Sequence, residues 1–122
     1  MRRIILLITV AALALVSTLL VVAVAAAHKQ PTAGAHKQPT RTVLIQNFSF
    51  SPANITIKRG TRVIWINKDG TAHTATANNG AFDSGTLQPG QRFSHTFKTA
   101  GKKYAYHCEI HPSMRGSVTV KR

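Results

Sequence analysis

Residues 106–114, YHCEIHPSM, hold the only cysteine of the chain, with His107, His111 and Met114 close by. Cys108, His111 and Met114 follow a C-x2-H-x2-M spacing, so one compact loop can turn a thiol, an imidazole and a thioether toward a common point. A further donor must come from elsewhere, and His73 is the candidate: it lies just past the turn signal Lys68-Asp69-Gly70, between two strand-like segments. Two imidazoles, a thiolate and a thioether make the ligand set of a copper electron-transfer centre. Zinc would accept two histidines and a cysteine but has no use for a thioether. Four protein ligands leave no place for a reactant at the metal, so the expectation is electron transfer and not an enzyme. Two rivals are weighed against it. A thiol hydrolase would need an exposed thiolate beside a substrate cleft. A copper-delivery or copper-storage protein would hold Cu(I) at an exposed, exchangeable site, usually rich in Met and His.

The elements that must position these residues read as short strands. TVLIQNFSF runs to a turn at Ser51-Pro52, and NITIKRG alternates Ile55 and Ile57 with polar residues before Gly60. TRVIWIN, QRFSHTF, KKYAYHC and GSVTV follow, separated by the turn signals KDG, NNG, PGQ and Ala100-Gly101. This predicts an all-β antiparallel sandwich, with Trp65, Phe82 and Phe97 in its core, His95 structural, and Gly70, Gly90, Gly101 and Gly116 in turns. About 80 residues give a small core, to which a bound metal would add stability. A period of two over 102–108 places Tyr104, Tyr106 and Cys108 on one face, and Lys103, Ala105 and His107 on the other. The lysine marks the solvent side, so Cys108 points inward where the chain leaves the sheet, and His107 reads as a solvent-facing residue.

VIWINKDGTAHTAT, FDSG, PGQRFSHTF, GKKYAYHC and CEIHPSMRGSVTV resemble, in order, the cupredoxins of the plastocyanin and amicyanin type. The ligand-loop spacing is that of amicyanin. The resemblance implies a Greek-key β-sandwich over residues 41–122 with one type 1 (blue) copper ion. It implies His73, Cys108 and His111 as equatorial ligands, Met114 as the axial one, and electron exchange through His111 amid an apolar patch to which Pro112 and Met114 would contribute. There are two departures. Thr74 stands where the family often has an asparagine that ties the two ligand loops together. Ile110 stands where amicyanin has proline, and an Ile110 N–H donating to the Cys108 sulfur would favour Cu(I) and raise the potential.

Ahead of this domain, Ile4–Ala27 is an uncharged run following Arg2-Arg3 and ending in three alanines. As a helix it would be about 36 Å long, enough to cross a bilayer. Residues 1–27 therefore read as a signal peptide or a membrane anchor, which places the rest outside the cytoplasm (in the periplasm or on the outer face of the cytoplasmic membrane). AHKQPT occurs at 27–32 and again at 35–40, and residues 28–40 read as a flexible, polar linker carrying His28 and His36. The formal net charge is +13, and from Arg41 onward twelve Lys and Arg face only Asp69, Asp83 and Glu109. The basic residues are scattered, with no recognition helix or motif, so nucleic acid is not the expected partner. The expectation is a monomer serving redox partners with an acidic docking surface.

Overall fold

The computed structural model describes Gly34 and residues 36–122. The expected N-terminal helix and most of the repeat-bearing linker lie outside the described residues, among which no helix is long and apolar enough to cross a membrane. The rest is built from β1 (Thr40–Gln46), β2 (Ser49–Ser51), β3 (Asn54–Lys58), β4 (Arg62–Asn67), β5 (Thr76–Ala77), β6 (Arg92–Thr96), β7 (Lys102–His107) and β8 (Arg115–Lys121). They form two four-stranded sheets, ordered β2-β1-β4-β6 and β3-β8-β7-β5. The all-β sandwich read from alternation is what forms. In β3 only Ile55 and Ile57 are buried, in β4 Val63, Trp65 and Asn67, and in β7 Tyr104 and Tyr106. Trp65 lies at the centre, 5.0 Å from the Phe82 ring and 5.5 Å from that of Tyr106, with Phe97 beside them. Burying one such side chain stabilises by roughly 1.5–3 kcal/mol.

The pairing departs from an antiparallel expectation in both sheets. β1 runs parallel to β4, and β3 runs parallel to β8. Alternation reports which face of a strand is buried but carries no information on the direction of its neighbour. The crossover that a parallel pair requires comes from β2 and β3: the chain leaves β1, passes to the other sheet as β3, and returns as β4.

The segment read as one strand, TVLIQNFSF, is a tight hairpin. Gln46 pairs with Ser49 across Asn47 and Phe48, both at φ +53°. A two-residue loop with positive φ at both positions matches the right-handed twist of the flanking strands. Asn tolerates this region, but for Phe48 it costs about 1–2 kcal/mol. The offset is external: the Asp69 carboxylate accepts the Asn47 N–H through Oδ1 (2.7 Å) and the Phe48 N–H through Oδ2 (3.0 Å). Gly90 and Gly101 occupy turns at positive φ, as expected. Gly116 does not: it lies within β8 opposite Tyr106. A methyl there would stand 2.5 Å from the Tyr106 ring and hydroxyl and 2.6 Å from the Ala53 carbonyl. The glycine is required by close approach and not by a bend.

Candidate metal centre

Two loops at one end of the sandwich build the site. The first follows β4, whose last residue, Asn67, is fully buried and organises what comes next. Its amide donates to the Thr71 carbonyl (2.8 Å) and the Leu87 carbonyl (2.9 Å), and its oxygen accepts the Asp69 N–H (3.0 Å). His73 is then held by a short bridge to Leu87, with backbone hydrogen bonds in both directions (3.1 and 2.7 Å). Its side chain is fully buried, and its Nε2 lies 2.8 Å from Asp69 Oδ2. A carboxylate only accepts, so Nε2 carries the proton and Nδ1 presents a lone pair to the interior. Burial opposes the charge on Asp69, but the N–H groups of Phe48 and Asn47 and the His73 ring outweigh it, holding the carboxyl below its usual range.

The second loop leaves β7 at Cys108, which is fully buried as its parity with Tyr104 and Tyr106 requires. The loop closes on itself: Cys108 N–H donates to the Met114 carbonyl (3.1 Å), and Met114 N–H to the His111 carbonyl (2.8 Å). These bonds turn His111 back over the cysteine. Thr74 joins the two loops. Its N–H donates to Cys108 Sγ (3.3 Å), and its hydroxyl accepts the Glu109 N–H (2.8 Å). Thr76 donates to Asp83 (3.2 Å), so at the 3.0 Å contact between the two threonine hydroxyls Thr74 is the donor. The shorter threonine side chain therefore makes the tie that the family more often makes with asparagine.

His73 Nδ1, His111 Nδ1 and Cys108 Sγ converge, with separations of 3.1 Å between the nitrogens and 3.8 and 3.9 Å from sulfur to each. A point equidistant from all three lies about 2.1 Å from each, the length of a metal–nitrogen bond and about 0.2 Å short of a metal–sulfur bond. Two imidazole nitrogens and a sulfur directed at one point are the arrangement a cation would hold together. The donors present thus fit a metal ion, and two imidazoles with a sulfur suit copper. No carboxylate joins this group. Met114, the remaining expected ligand, is buried at the end of the same loop.

The sequence reading missed the residues that hold the donors in place. Asp69 was visible only as part of a turn signal, although its position four residues before His73 is a usable clue. Alternation places Phe48 within a continuous strand. Instead its ring stands edge-on to both His73 (5.2 Å) and His111 (5.0 Å). Of the expected apolar patch around His111, Pro112 is exposed but Met114 is not; among the described residues the large exposed apolar side chains are Phe48 (52% exposed) and Ile110 (46%). The Ile110 N–H makes no hydrogen bond to Cys108, whose sulfur accepts from the backbone only at the Thr74 N–H, so Ile110 does not act on the sulfur as expected. His107 is half-buried and held by Asn78 (2.6 Å) and Glu109 (3.1 Å). It lines a shallow cavity of about 280 Å³ with Asn78, Pro112 and Arg115 that contains none of the donors.

Residues 12–120 match the family model described as a cupredoxin-like domain. The chain is 34% identical to the plastocyanin of Scenedesmus fuscus over 85 residues, which cover 59% of this chain and 86% of that one. It is 33% identical to the amicyanin of Paracoccus versutus over 82 residues, covering 63% of this chain and only 61% of the relative. Among solved structures, a purple cupredoxin from Nitrosopumilus maritimus superposes with a TM-score of 0.60 at 34% identity, over 66% of this chain and 99% of the other. The loop spacing, the sandwich and these likenesses agree, and the chain belongs to the cupredoxin-like family.

Proposed function

We propose that this protein holds one type 1 copper ion between His73, Cys108 and His111, with Met114 as a weak fourth ligand, and carries single electrons between redox proteins outside the cytoplasm. The observation that carries this reading is the convergence of three buried or half-buried donor atoms on one point, with the His73 tautomer set by Asp69. Copper supplies the chemistry by cycling between Cu(I) and Cu(II). The chain supplies a cage that changes little as the charge changes: Thr74 ties the two loops, Asp69 fixes one ring, and the 108–114 loop is closed by its own hydrogen bonds. His111 is the ligand with an edge toward solvent, and Phe48, Ile110 and Pro112 around it support an apolar docking patch there. One chain supplies every donor, in keeping with a monomer. The uncharged run at 4–27 supports export or anchoring.

Copper delivery or storage is the less favoured alternative, because His73, Cys108 and Met114 are all buried and a transferable ion needs open ligands. Adding Cu(II) to the protein is expected to produce an intense visible sulfur-to-copper band that ascorbate bleaches and oxidant restores. The band is expected to vanish in Cys108→Ser. Its persistence in that variant would refute the assignment, and rapid loss of the ion to a competing chelator would favour delivery.

A further inference from the structure

The positive charge that looked scattered in the sequence is gathered by the fold at one pole. β3 ends on Lys58, followed by Arg59, and β8 ends on Lys121, followed by Arg122. β4 opens on Arg62, β7 opens on Lys102-Lys103, Lys98 follows β6, and Arg41 is the second residue of β1. The register brings these ends together: Lys58 pairs with Lys121, Lys102 with Val120, and Arg62 with both Thr40 and Thr96. Nine of the twelve Lys and Arg after residue 40 thus share this end, all exposed, and none is in an ion pair among the described residues. No Asp or Glu is there. The three acids lie at the other end with Lys68, Arg92 and Arg115, where three charges of each sign cancel.

β7 separates the two ends. It starts at Lys102 and ends at His107, next to Cys108, a span of about 17 Å. The chain also enters the domain at the basic pole. Gln38 donates to the Gly60 carbonyl (3.2 Å) and to Thr96 (3.1 Å), and the Pro39 carbonyl accepts the Arg62 N–H (2.8 Å). Twelve residues lie between Ala27 and Thr40, a reach of at most about 40 Å. A shallow cavity of about 230 Å³ flanked by Arg59, Ala100 and Arg122 opens on the same pole and is large enough for a phosphate group.

We propose that the pole opposite the metal centre docks on an anionic phospholipid surface, turning the metal centre away from the membrane. The tether, but not the charged face, rests on reading residues 4–27 as membrane-bound. A lipid surface is favoured over an acidic protein because the face is spread over the ends of both sheets and adjoins the segment that leads to the apolar run. Basic residues attract such a surface additively.

The full chain, bound to vesicles of phosphatidylcholine or of phosphatidylcholine with an equal part of phosphatidylglycerol, is labelled with acetic anhydride and read lysine by lysine. Labelling of Lys58, Lys102, Lys103 and Lys121 is expected to slow by about fivefold on the anionic vesicles, the weight of one basic residue at such a surface, while Lys68 is unchanged. High salt should abolish the difference, and Lys102→Glu with Lys103→Glu should reduce it at Lys58 and Lys121. Equal labelling on both vesicles overturns the proposal, as does equal protection of Lys68. Protection by soluble polyglutamate with none from anionic lipid would replace it with an acidic protein partner. Binding to anionic vesicles alone, with the pole protected, would sustain it while refuting the anchor.

Discussion

A carboxylate that is not a ligand does much of the work of keeping the ligands in place. Asp69 uses both oxygens: Oδ1 accepts from Asn47, and Oδ2 accepts from Phe48 and from the His73 ring. One group therefore holds a phenylalanine in a left-handed conformation, sets a histidine tautomer, and places the phenyl ring against both histidines. Asp69→Asn keeps the shape but leaves one oxygen for three donors, and its NH2 faces a donor. The expected result is a 10–100-fold loss of copper affinity, the usual range when a group supporting a ligand is removed. A competition titration with a Cu(I) chelator measures it; affinity within about twofold of the parent would mean that Asp69 does not position His73. At this scale the sequence was informative about the donors and silent about their supports. Cys108, His111 and Met114 are close in the chain, so their spacing is itself geometry. Asp69 reaches Phe48 across 21 residues, and that contact exists only because Asn47 and Phe48 turn where alternation suggested a continuous strand.

Among the elements, strand existence was legible because burial writes a period of two into β3, β4 and β7. Direction of pairing was not, since a parallel and an antiparallel neighbour demand the same alternation. Nor was the role of Gly116, which depends on the ring of Tyr106 lying across the neighbouring strand. That ring is deeply buried: desolvation pushes the Tyr106 hydroxyl up to about 12, opposed by the nearby Trp65 indole, although no hydrogen bond of good geometry joins the two. With no slack around it, Gly116→Ala is expected to destabilise by about 1–3 kcal/mol through overpacking, measured by urea unfolding. An unchanged midpoint would show that β8 can shift at no cost. β6 carries a pH response. His95 packs between Phe82 (5.3 Å) and Phe97 (4.8 Å), and burial lowers its pKa below 6.5. The unfolded chain then binds the proton more readily than the folded one. The contribution of His95 is complete above pH 6.5 and is lost as pH falls from there through the depressed folded value. His95→Phe should flatten the stability curve below about pH 6.5, and an identical slope in parent and variant would assign the response elsewhere.

For the whole molecule, the net charge and the charge that a partner meets are different quantities. Composition suggested an acidic redox partner, because twelve basic residues face three acids after residue 40. The fold separates them. The metal end balances three Lys and Arg against three acids, and around His111 it shows Phe48, Ile110 and Pro112. At physiological ionic strength the screening length is about 8 Å, and β7 sets the basic pole about 17 Å away, so a partner seated over His111 feels little of it. Electron exchange through that face should therefore depend weakly on the basic pole. Reversing Lys102 and Lys103 to glutamate is expected to leave the transfer rate to a protein oxidant within about twofold at such ionic strength, whereas Lys68→Glu with Arg115→Glu, which unbalances the metal end, should change it by about tenfold. Stopped-flow rates on the copper-loaded variants decide the matter. A large effect at Lys102 and Lys103, with little at Lys68 and Arg115, would mean that electrons leave by a route other than His111, and the docking face would have to be sought along β7.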